Sequence, residues 1–508
     1  MRPLRAVALT EVIPLPAASP PAFLTLLTVT YTEGEAETYL VPLRCATGAQ
    51  ADRVQKELPQ AIIAHVRGEG EQGCVYEAFQ DQDFYPVVLD VIARRRCFRG
   101  RAGKLVARPT RAFNGRGVSP AELTPALLQT EQNNTVVAYG ERFILKLFCH
   151  VAAGMHPDVE TRSFLVEKAR FTHTPAVAGT VAYQPSQGDP LILATLQQFV
   201  PNQGSAWDYT QGVLGHYFAA ARSVSEPAPA PHQKPWLTLQ AEDIPPIVKD
   251  LIGPYLEIAR LLGQRTAELH VALVSDPADP DFAPEPFSVL HHRARHQFLR
   301  ILSAQVFQLL RQCLTSVPDA VRGEARSVLQ LEATVGRHLH ALFTRKISTW
   351  RIRCHGSYHL GQVLYTGDDV VILGFGGEPL RPLSEWRLKH PPMKDVAGML
   401  RSFHYAAYAG LFTQIPQDKP TDQQRLAALE PWARWWWQGV ATVFLTSYLT
   451  TASQAAPLAL TRPECQVLLE VYLLEKVLYE LSYELHTRPE WVRIPLHGIR
   501  QLVGGGRA

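Results

Sequence analysis

Arg353-Cys354-His355-Gly356-Ser357-Tyr358-His359-Leu360-Gly361-Gln362, followed by Gly374-Phe375-Gly376-Gly377-Glu378-Pro379, is the stretch that decides how the rest of the chain is interpreted. A loop of His, Gly and polar residues, then a short strand pair and a Gly-Phe turn, is a layout typical of a phosphotransferase active site. The carboxylates that would carry out the chemistry of such a site are missing from it. The sequence therefore predicts the frame of a phosphotransferase together with a defect in its chemistry.

The composition is ordinary for a folded soluble protein. The 508 residues are 46% hydrophobic and 19% charged, and the formal net charge is +3. So small a net charge for this length implies no dominant attraction to nucleic acid or to an anionic membrane. One basic cluster leaves two interpretations open, a solvated or ion-paired surface and a docking patch for an acidic partner. Its members are Arg94, Arg95, Arg96, Arg99, Arg101, Lys104, Arg108 and Arg111.

Cysteine usage and the apolar runs predict a reducing, cytoplasmic location. The seven cysteines are scattered and contain no C-x-x-C pair, which argues against a disulfide framework and against a zinc site. The N-terminal segment has no uninterrupted apolar run of the kind that a signal peptide requires. The most apolar stretch, 435–449, is interrupted by polar residues and is shorter than the roughly 20 residues of a bilayer span. We therefore expect no membrane segment.

Hydrophobic periodicity divides the chain into three predicted regions. Residues 1–104 begin with a β-hairpin over 23–43 and continue with two short helices and a strand, which predicts a small α+β cap domain. Residues 105–200 alternate as strands do. Residues 201–508 are mostly helical, with Pro-rich loops at 225–231 and 276–286. The predicted helices lie near 208–224, 245–274, 287–315, 318–348, 394–412, 428–451 and 462–486.

Lys146 is predicted inside a sheet, on an otherwise apolar strand that follows a turn at Gly140. Burying its charge alone is costly, so the ammonium needs an anionic partner. Glu160 is a candidate, because Pro157 is placed to open a helix that carries it. A strand lysine paired with a helix glutamate positions nucleotide phosphates in kinases, and a plain structural salt bridge explains the pair equally well. Within residues 105–200, no G-x-G-x-x-G loop is present.

The last long helix has two candidate faces. Thr461 and Glu464 form a capping box at its start, and Pro489 lies just past its end. A leucine stripe is predicted to be core: Leu474, Leu478, Leu481 and Leu485. A second face combines aromatic and polar side chains: Tyr472, Lys476, Tyr479, Glu480 and Tyr483. Rings and hydrogen-bonding groups together suit a sugar, whereas tyrosines that only bridge helices would give the same pattern.

Four strings carry a family resemblance: Phe143-Ile144-Leu145-Lys146-Leu147-Phe148, Asn202-Gln203-Gly204 with Ala206-Trp207-Asp208-Tyr209, His355-Gly356 with Tyr358-His359-Leu360-Gly361-Gln362, and Asp395-Val396-Ala397-Gly398-Met399-Leu400-Arg401-Ser402-Phe403. Over nearly its whole length the sequence resembles the maltokinases, including those fused to trehalose synthases, within the aminoglycoside-phosphotransferase-like kinases. The resemblance implies an α+β, bilobal, protein-kinase-like fold with an N-terminal cap, a nucleotide-binding lobe over 105–200 and a helical sugar lobe. It also implies phosphorylation of maltose to maltose 1-phosphate, with ATP and Mg²⁺ as cofactors.

The resemblance assigns roles to individual residues. Lys146 and Glu160 match the nucleotide-phosphate lysine and its helix partner, and Gln198 and Val200 fall in the nucleotide-binding part of the chain. Gln362 matches an amide that helps to hold magnesium. The regions that contact the sugar contain His355, Lys476, Tyr479, Glu480 and Tyr483.

The sequence departs from the family pattern at its chemical positions. Ser357 stands where the family has its catalytic aspartate, and Gly374 and Gly376 stand where it has metal-binding acids. In the hinge string, Ser205 replaces an aspartate. An aspartate acting as general base contributes about 10²- to 10⁴-fold in rate, and Mg²⁺ is normally bound through one or two carboxylates. Losing both is therefore expected to be close to disabling.

Nearby acids are not evident replacements. The Gly367-Asp368-Asp369 turn of a predicted hairpin would aim its two acids at solvent. Glu378 belongs to the family's own pattern beside the lost acids.

The leading hypothesis is a maltokinase-fold protein with impaired or absent kinase activity, retained as a binding or regulatory subunit. Its ligand would be maltose or another α-glucoside, and its partner a trehalose synthase or another α-glucan enzyme. The alternative is an active ATP-dependent maltokinase with atypical metal ligation. Nucleic-acid binding through the Arg94 to Arg111 cluster is the least favoured hypothesis.

Overall fold

The computed structural model describes residues 3–15, 22–67, 72–113, 123–130, 134–230, 236–345, 347–377, 383–415 and 420–504. The chain forms two compact units. The first comprises Met1–Lys168, Thr174–Pro201 and Pro379–Leu383, and the second comprises Ala169–His173, Asn202–Glu378 and Ser384–Ala508. The predicted domain boundaries at 104/105 and 200/201 stay predictions.

Two antiparallel sheets make up most of the first unit. Its strands are β1 (Leu4–Leu15), β2 (Ala22–Tyr31), β3 (Glu37–Thr47), β4 (Ile62–Arg67), β5 (Gln72–Glu77), β6 (Cys97–Arg99), β7 (Gly103–Pro109), β8 (Pro125–Thr130), β9 (Asn134–Tyr139), β10 (Phe143–Phe148), β11 (His150–Val151), β12 (Val177–Pro185) and β13 (Leu191–Gln198). Its helices are α1 (Ala49–Glu57), α2 (Tyr85–Ala93) and α3 (Pro157–Ser163). One sheet has the order β1-β2-β3-β5-β4, with β11 paired to β3, and the other has the order β6-β7-β12-β13-β10-β9-β8.

The elements predicted in this unit are present. The hairpin of β2 and β3 has the register Leu26↔Leu40, and both of these leucines are buried. Strand alternation turns such residues toward one core, which here takes side chains from both sheets and from α2. Glu11, buried at 1% exposure, ties the sheets together because it accepts hydrogen bonds from the amides of Arg101 and Ala102 and from Tyr183 Oη.

The basic cluster beside α2 is ion-paired in part. Arg94 Nε lies 2.5 Å and Arg96 Nε 3.2 Å from the carboxylate of Asp90. These contacts agree with the structural interpretation of the cluster for those two members. Binding of an acidic partner by the others stays a prediction.

The second unit is largely helical. Its helices are α4 (Ala206–Ser223), α5 (Pro246–Ile252), α6 (Tyr255–Leu273), α7 (Val289–Gln312), α8 (Asp319–Leu329), α9 (Glu332–Phe343), α10 (Met393–Gln414), α11 (Pro420–Ala452), α12 (Arg462–Thr487) and α13 (Arg493–Gly504). Two short hairpins accompany them, β14 (Glu285–Pro286) with β15 (Trp350–Arg351) and β16 (Val363–Tyr365) with β17 (Val370–Ile372).

Two predicted helices are each divided in two. The segment predicted at 245–274 breaks at Gly253, which adopts φ 57° and ends α5 before Pro254. Glycine takes this left-handed conformation without the steric cost of a Cβ atom. The segment predicted at 318–348 breaks at Gln330 and Leu331, between α8 and α9.

Helix α12 agrees closely with its prediction. Thr461 and Glu464 form the expected reciprocal capping box. The predicted leucine stripe packs in a core shared with α7, α8, α9 and α13. In the part of the chain that the structure describes, no helix combines the length and the apolarity that crossing a bilayer requires.

Candidate active site

The loop that follows Arg353 is held by a carboxylate from α10. Asp395 lies in the first turn of that helix and is 1% exposed. Its Oδ2 accepts the amide of His355 at 2.7 Å, and its Oδ1 accepts the amide of Gly356 at 3.0 Å. His270 Nε2 lies 3.1 Å from Oδ2, and its Nδ1 lies 2.8 Å from Tyr448 Oη. One buried acid therefore fixes the backbone of the predicted catalytic loop.

Asp395 remains ionised despite its burial. Desolvation by itself would raise the pKa of this carboxyl, but the hydrogen bond and charge of His270, together with the loop amide of Gly356, outweigh it and lower the pKa. Asp395 belongs to one of the strings that carry the family resemblance, but the sequence alone gave it no role. The available signal was an acid in the first turn of a helix, next to the apolar residues Val396 and Ala397.

His355 holds the loop against the segment that follows β17. Its Nε2 lies 2.6 Å from the carbonyl oxygen of Leu373, and its ring packs 4.8 Å from that of Phe375 and 5.1 Å from that of Tyr358. The side chain is 1% exposed. In this structure His355 supports the loop, and its predicted contact with sugar stays a prediction.

Ser357 occupies the predicted position of the proton acceptor. It is buried at 8% exposure, two residues past the His355 amide that Asp395 anchors. A serine hydroxyl does not accept a proton at neutral pH as a carboxylate does. The loop therefore presents a hydroxyl at this position.

Gln362 and Gly374 lie together, as the resemblance implies for a metal site. The amide of Leu373 donates to Gln362 O at 2.8 Å, and Gly374 follows with φ 70°. A Cβ atom at position 374 would lie 2.0 Å from Gln362 Oε1. A neutral amide oxygen therefore fills the space in front of Gly374.

The described residues do not fit a magnesium ion at this place. Hard divalent cations need oxygen ligands that include carboxylates. Within the described ranges, no group of three or more His, Cys, Asp and Glu side chains is placed to hold a metal ion. Glu378 lies outside the residues that the structure describes.

The prediction that both acids of the 368–369 turn face solvent is wrong for Asp369. Its carboxylate accepts two hydrogen bonds from Arg265 on α6, at 3.0 Å from Nε and 2.7 Å from Nη2. Burial would raise the pKa of Asp369, but the hydrogen bonds from Arg265 and the Val370 amide outweigh it and lower the pKa. Asp369 therefore anchors the β16–β17 hairpin, while Asp368 is exposed.

The predicted nucleotide residues belong to the first unit. Lys146 is half-buried on β10, opposite Val136 and Thr195, as predicted. Glu160 lies on α3, which Pro157 opens. Gln198 ends β13 and its Nε2 donates to Ala112 O at 3.3 Å, and half-buried Val200 follows two residues later.

Helix α3 contributes a second acid, whose contact with the charge of Lys146 the sequence pattern did not indicate. Asp158 is 3% exposed and pairs with Arg162, which also donates to Gln197 Oε1 at 2.6 Å. Burial would raise the pKa of Asp158, but the charges of Arg162 and Lys146 outweigh it and hold the pKa well below its usual range. Asp158 is therefore an anionic neighbour of Lys146.

Some side chains of the predicted sugar face of α12 pair with, or pack against, residues of other helices. Glu480 accepts hydrogen bonds from Arg401 Nε at 3.2 Å and Nη2 at 2.6 Å. Tyr472 is buried beside Arg295, whose guanidinium lies 5.5 Å from the ring centroid. Lys476 Nζ lies 4.9 Å from the ring centroid of half-buried Tyr479. Glu480 thus has a structural partner that the helix pattern alone did not reveal.

An aromatic platform lies one turn along α10 from the loop contact. Ser402 on α10 accepts the amide of Leu360 at 3.1 Å, and Tyr405 follows three residues later. The Tyr405 ring lies 6.0 Å from that of Trp207 and 6.1 Å from that of Trp491. All three side chains are half-buried. Trp207 belonged to one of the quoted strings, but only the fold brings it beside Tyr405 and Trp491.

Charged groups at the C-terminal end of α12 border this platform. Glu484 Oε1 accepts a hydrogen bond from Tyr405 Oη at 2.9 Å and another from Arg488 Nη2 at 2.7 Å. The Arg488 guanidinium lies 5.5 Å from the ring of Tyr483 and 5.9 Å from that of Trp491. Burial raises the pKa of Glu484, although Arg488 opposes the shift. Aromatic rings, a carboxylate and a guanidinium lie together here. These are groups with which proteins bind sugars.

The chain is similar to characterised sugar kinases. No family model matches it. A glucosamine kinase of Mycolicibacterium smegmatis is 24% identical over 381 residues, which cover 75% of this chain and 79% of the relative. A glucosamine kinase of Streptacidiphilus jiangxiensis is 23% identical over 372 residues, covering 72% and 70%.

Solved structures of glucosamine kinase are similar over almost the whole chain. One, in complex with glucosamine, ADP and inorganic phosphate, has a TM-score of 0.58 at 18% identity and covers 99% of this chain and 95% of that one. A second crystal form has a TM-score of 0.61 at 17% identity, with the same coverage. The predicted kinase-like α+β fold is thereby confirmed, and the relatives are sugar-kinase-like phosphotransferases. The finer resemblance to maltokinases stays a prediction.

Proposed function

We propose that this protein is a sugar-binding member of the kinase-like fold in which phosphoryl transfer is impaired or absent, and that it acts as a binding or regulatory subunit. The proposal rests on the residues at three positions where phosphoryl transfer needs acids: a serine at 357 and glycines at 374 and 376. In addition, Gln362 Oε1 fills the space in front of Gly374. The loop frame around them is intact, since Asp395 and His355 hold it on both sides.

The chemical reason is electrostatic. Phosphoryl transfer depends on positioning the reactants and on neutralising the charge of the transferring group. At this site the hydroxyl of Ser357 offers no general base, and Gln362 offers a neutral oxygen in place of a carboxylate. The same loop geometry suits binding, which needs no base.

A neutral sugar such as maltose or another α-glucoside is the proposed ligand. Two carboxylates of α12 near the aromatic platform, Glu480 and Glu484, already accept hydrogen bonds from Arg401 and Arg488. A carboxylate paired in this way is less suited to an ammonium group, so glucosamine, the ligand named for the similar structure, is the second candidate. A trehalose synthase or another α-glucan enzyme is the proposed partner of the regulatory form.

An active sugar kinase with atypical metal ligation is the alternative. The observation that favours it is the intact frame of the loop, which Asp395 and His355 hold in place. ATP and Mg²⁺ would then be its cofactors, with Lys146, Glu160, Gln198 and Val200 on the nucleotide side.

Turnover decides between the two. We expect ADP release from Mg-ATP with maltose or glucosamine to stay at least about 10³-fold below that of a glucosamine kinase measured beside it, because the base alone is worth about 10² to 10⁴. Calorimetric titration of each sugar should show binding of one of them. Release at the rate of the reference kinase would contradict the proposal, and so would the absence of any sugar binding.

The aromatic platform provides a second prediction. Trp207→Ala should weaken binding of the sugar that calorimetry identifies by about two- to tenfold, because a stacking ring contributes roughly 0.5–1.5 kcal/mol. Trp350→Ala is the matched control, since Trp350 is a 41% exposed tryptophan on β15. If the two variants bind the sugar with equal affinity and have unchanged midpoints of thermal unfolding, the aromatic platform is not part of the sugar site.

A further inference from the structure

The backbone at Gly374 is shaped for a residue without a side chain. Its φ of 70° lies in the left-handed region, which side chains rarely adopt. Gln362 Oε1 stands 2.0 Å from the place of a Cβ atom. If the Gln362 amide rotated away to admit a side chain at position 374, that side chain would still strain the backbone. The site would also lose the Gln362 Oε1 atom that now faces Gly374.

Trp386 covers the next glycines of the same segment. A Cβ atom at Gly376 would lie 3.3 Å from Trp386 Cζ3, and one at Gly377 would lie 2.5 Å from both Cγ and Cδ1. Gly377 also has a left-handed φ of 69°. Cγ is bonded to the Trp386 Cβ atom, so the ring clears this space only if the whole indole leaves. A glutamate at 376 would have to extend past the same ring.

The segment between these glycines is firmly packed. Phe375 is 3% exposed and its ring packs against that of His355, which also contacts the Leu373 carbonyl. The described surroundings of Gly374 and Gly376 thus hold a neutral amide, aromatic rings and backbone. Taking a divalent cation from water into such surroundings without carboxylates is unfavourable.

We propose that this site takes no divalent cation, and that any nucleotide or sugar bound by the protein is bound without metal, because Gln362 and Trp386 occupy the space beside Gly374, Gly376 and Gly377. The inference deepens the proposed binding function and rests on it. It assigns Trp386 a role as a cover over the glycine segment.

Direct metal titration tests the proposal. Mn²⁺, followed by electron paramagnetic resonance with and without ADP, should show no bound fraction at sub-millimolar concentration. If ADP binds, replacing Mg²⁺ by EDTA should change its dissociation constant less than twofold. Tightening of ADP binding by Mg²⁺ of tenfold or more, or stoichiometric Mn²⁺ binding, would overturn the proposal. Glu378→Gln then reports whether Glu378 supplies the ligand.

A matched pair of variants tests the role of Trp386. Gly374→Asp/Gly376→Glu should stay without Mn²⁺ binding and melt several degrees below the wild-type protein, because the Gln362 amide lies where the side chain at position 374 would begin and the indole lies against the one at position 376. Gly374→Asp/Gly376→Glu/Trp386→Ala should recover part of that melting temperature and bind Mn²⁺. If the variant that retains Trp386 binds Mn²⁺ equally well, the indole is not the cover that we propose.

The two proposals fail in different ways. Sugar-dependent ADP release that persists in EDTA would overturn the proposed function and leave the metal-free site standing. Release that requires Mg²⁺ would overturn both. Mn²⁺ binding without any turnover would overturn the metal-free site alone.

Discussion

Asp395→Ala is expected to lower the free energy of unfolding by about 3–5 kcal/mol, because it removes the acceptor of two loop amides and leaves His270 buried without its acid. Urea unfolding followed by tryptophan fluorescence measures the change. Asp395→Asn is the matched control, since its remaining oxygen can still accept one amide, and it should cost less. A loss below about 1 kcal/mol for the alanine variant would contradict the role of Asp395 as the anchor of the loop.

The pH dependence of this loss follows from the lowered pKa of Asp395. A carboxyl whose pKa is lower in the folded protein than in the unfolded chain stabilises the fold above its ordinary pKa of about 3.9 and loses this contribution as the pH falls. The difference in stability between wild type and Asp395→Asn should therefore be nearly constant from neutral pH to about pH 5. It should shrink in more acidic solution.

Glu480→Ala is expected to cost a similar amount, about 3–5 kcal/mol, because it leaves the charge of Arg401 buried at 4% exposure without its partner. Replacing both residues, as Arg401→Met/Glu480→Leu, should restore most of the stability, since no unpaired charge remains. Urea unfolding of the two single variants and the double variant completes the cycle.

The result for Glu480 also bears on sugar recognition. Glu470→Ala is the control on the same helix, where the carboxylate accepts a hydrogen bond from Gln466, and it should cost less than about 1 kcal/mol. If Glu480→Ala leaves stability unchanged and abolishes sugar binding, Glu480 is a sugar ligand and the ion pair is incidental. If the free energy of unfolding falls while the folded fraction of the variant still binds sugar, Glu480 stabilises the fold through its ion pair with Arg401 and is not a sugar ligand.

Local patterns predicted elements whose cause is local. The hairpin of β2 and β3, the strand that carries Lys146 and the capping box of Thr461 and Glu464 depend on residues close together in sequence, and each was found as predicted. The break at Gly253 was also readable, because a Gly-Pro pair ends a helix, yet the apolar periodicity across it outweighed that signal.

Contacts between distant residues could not be predicted in the same way. Asp369 was expected in solvent because a hairpin turn usually projects outward, but Arg265, 104 residues earlier, binds it. Glu480 was grouped with a sugar face by helical spacing, whereas Arg401, 79 residues earlier, draws it into an ion pair. Spacing on one helix defines a face, and only packing decides what that face meets.

By itself the sequence determined the kinase-like fold class and the residues absent from its chemical positions, since Ser357, Gly374 and Gly376 can be identified without coordinates. Only the tertiary structure decided what surrounds those positions: Asp395 under the loop, Gln362 before Gly374 and Trp386 over the glycines. The physical reason is that the identity of a side chain is a property of one position, whereas filling of the space beside it depends on residues that folding brings there.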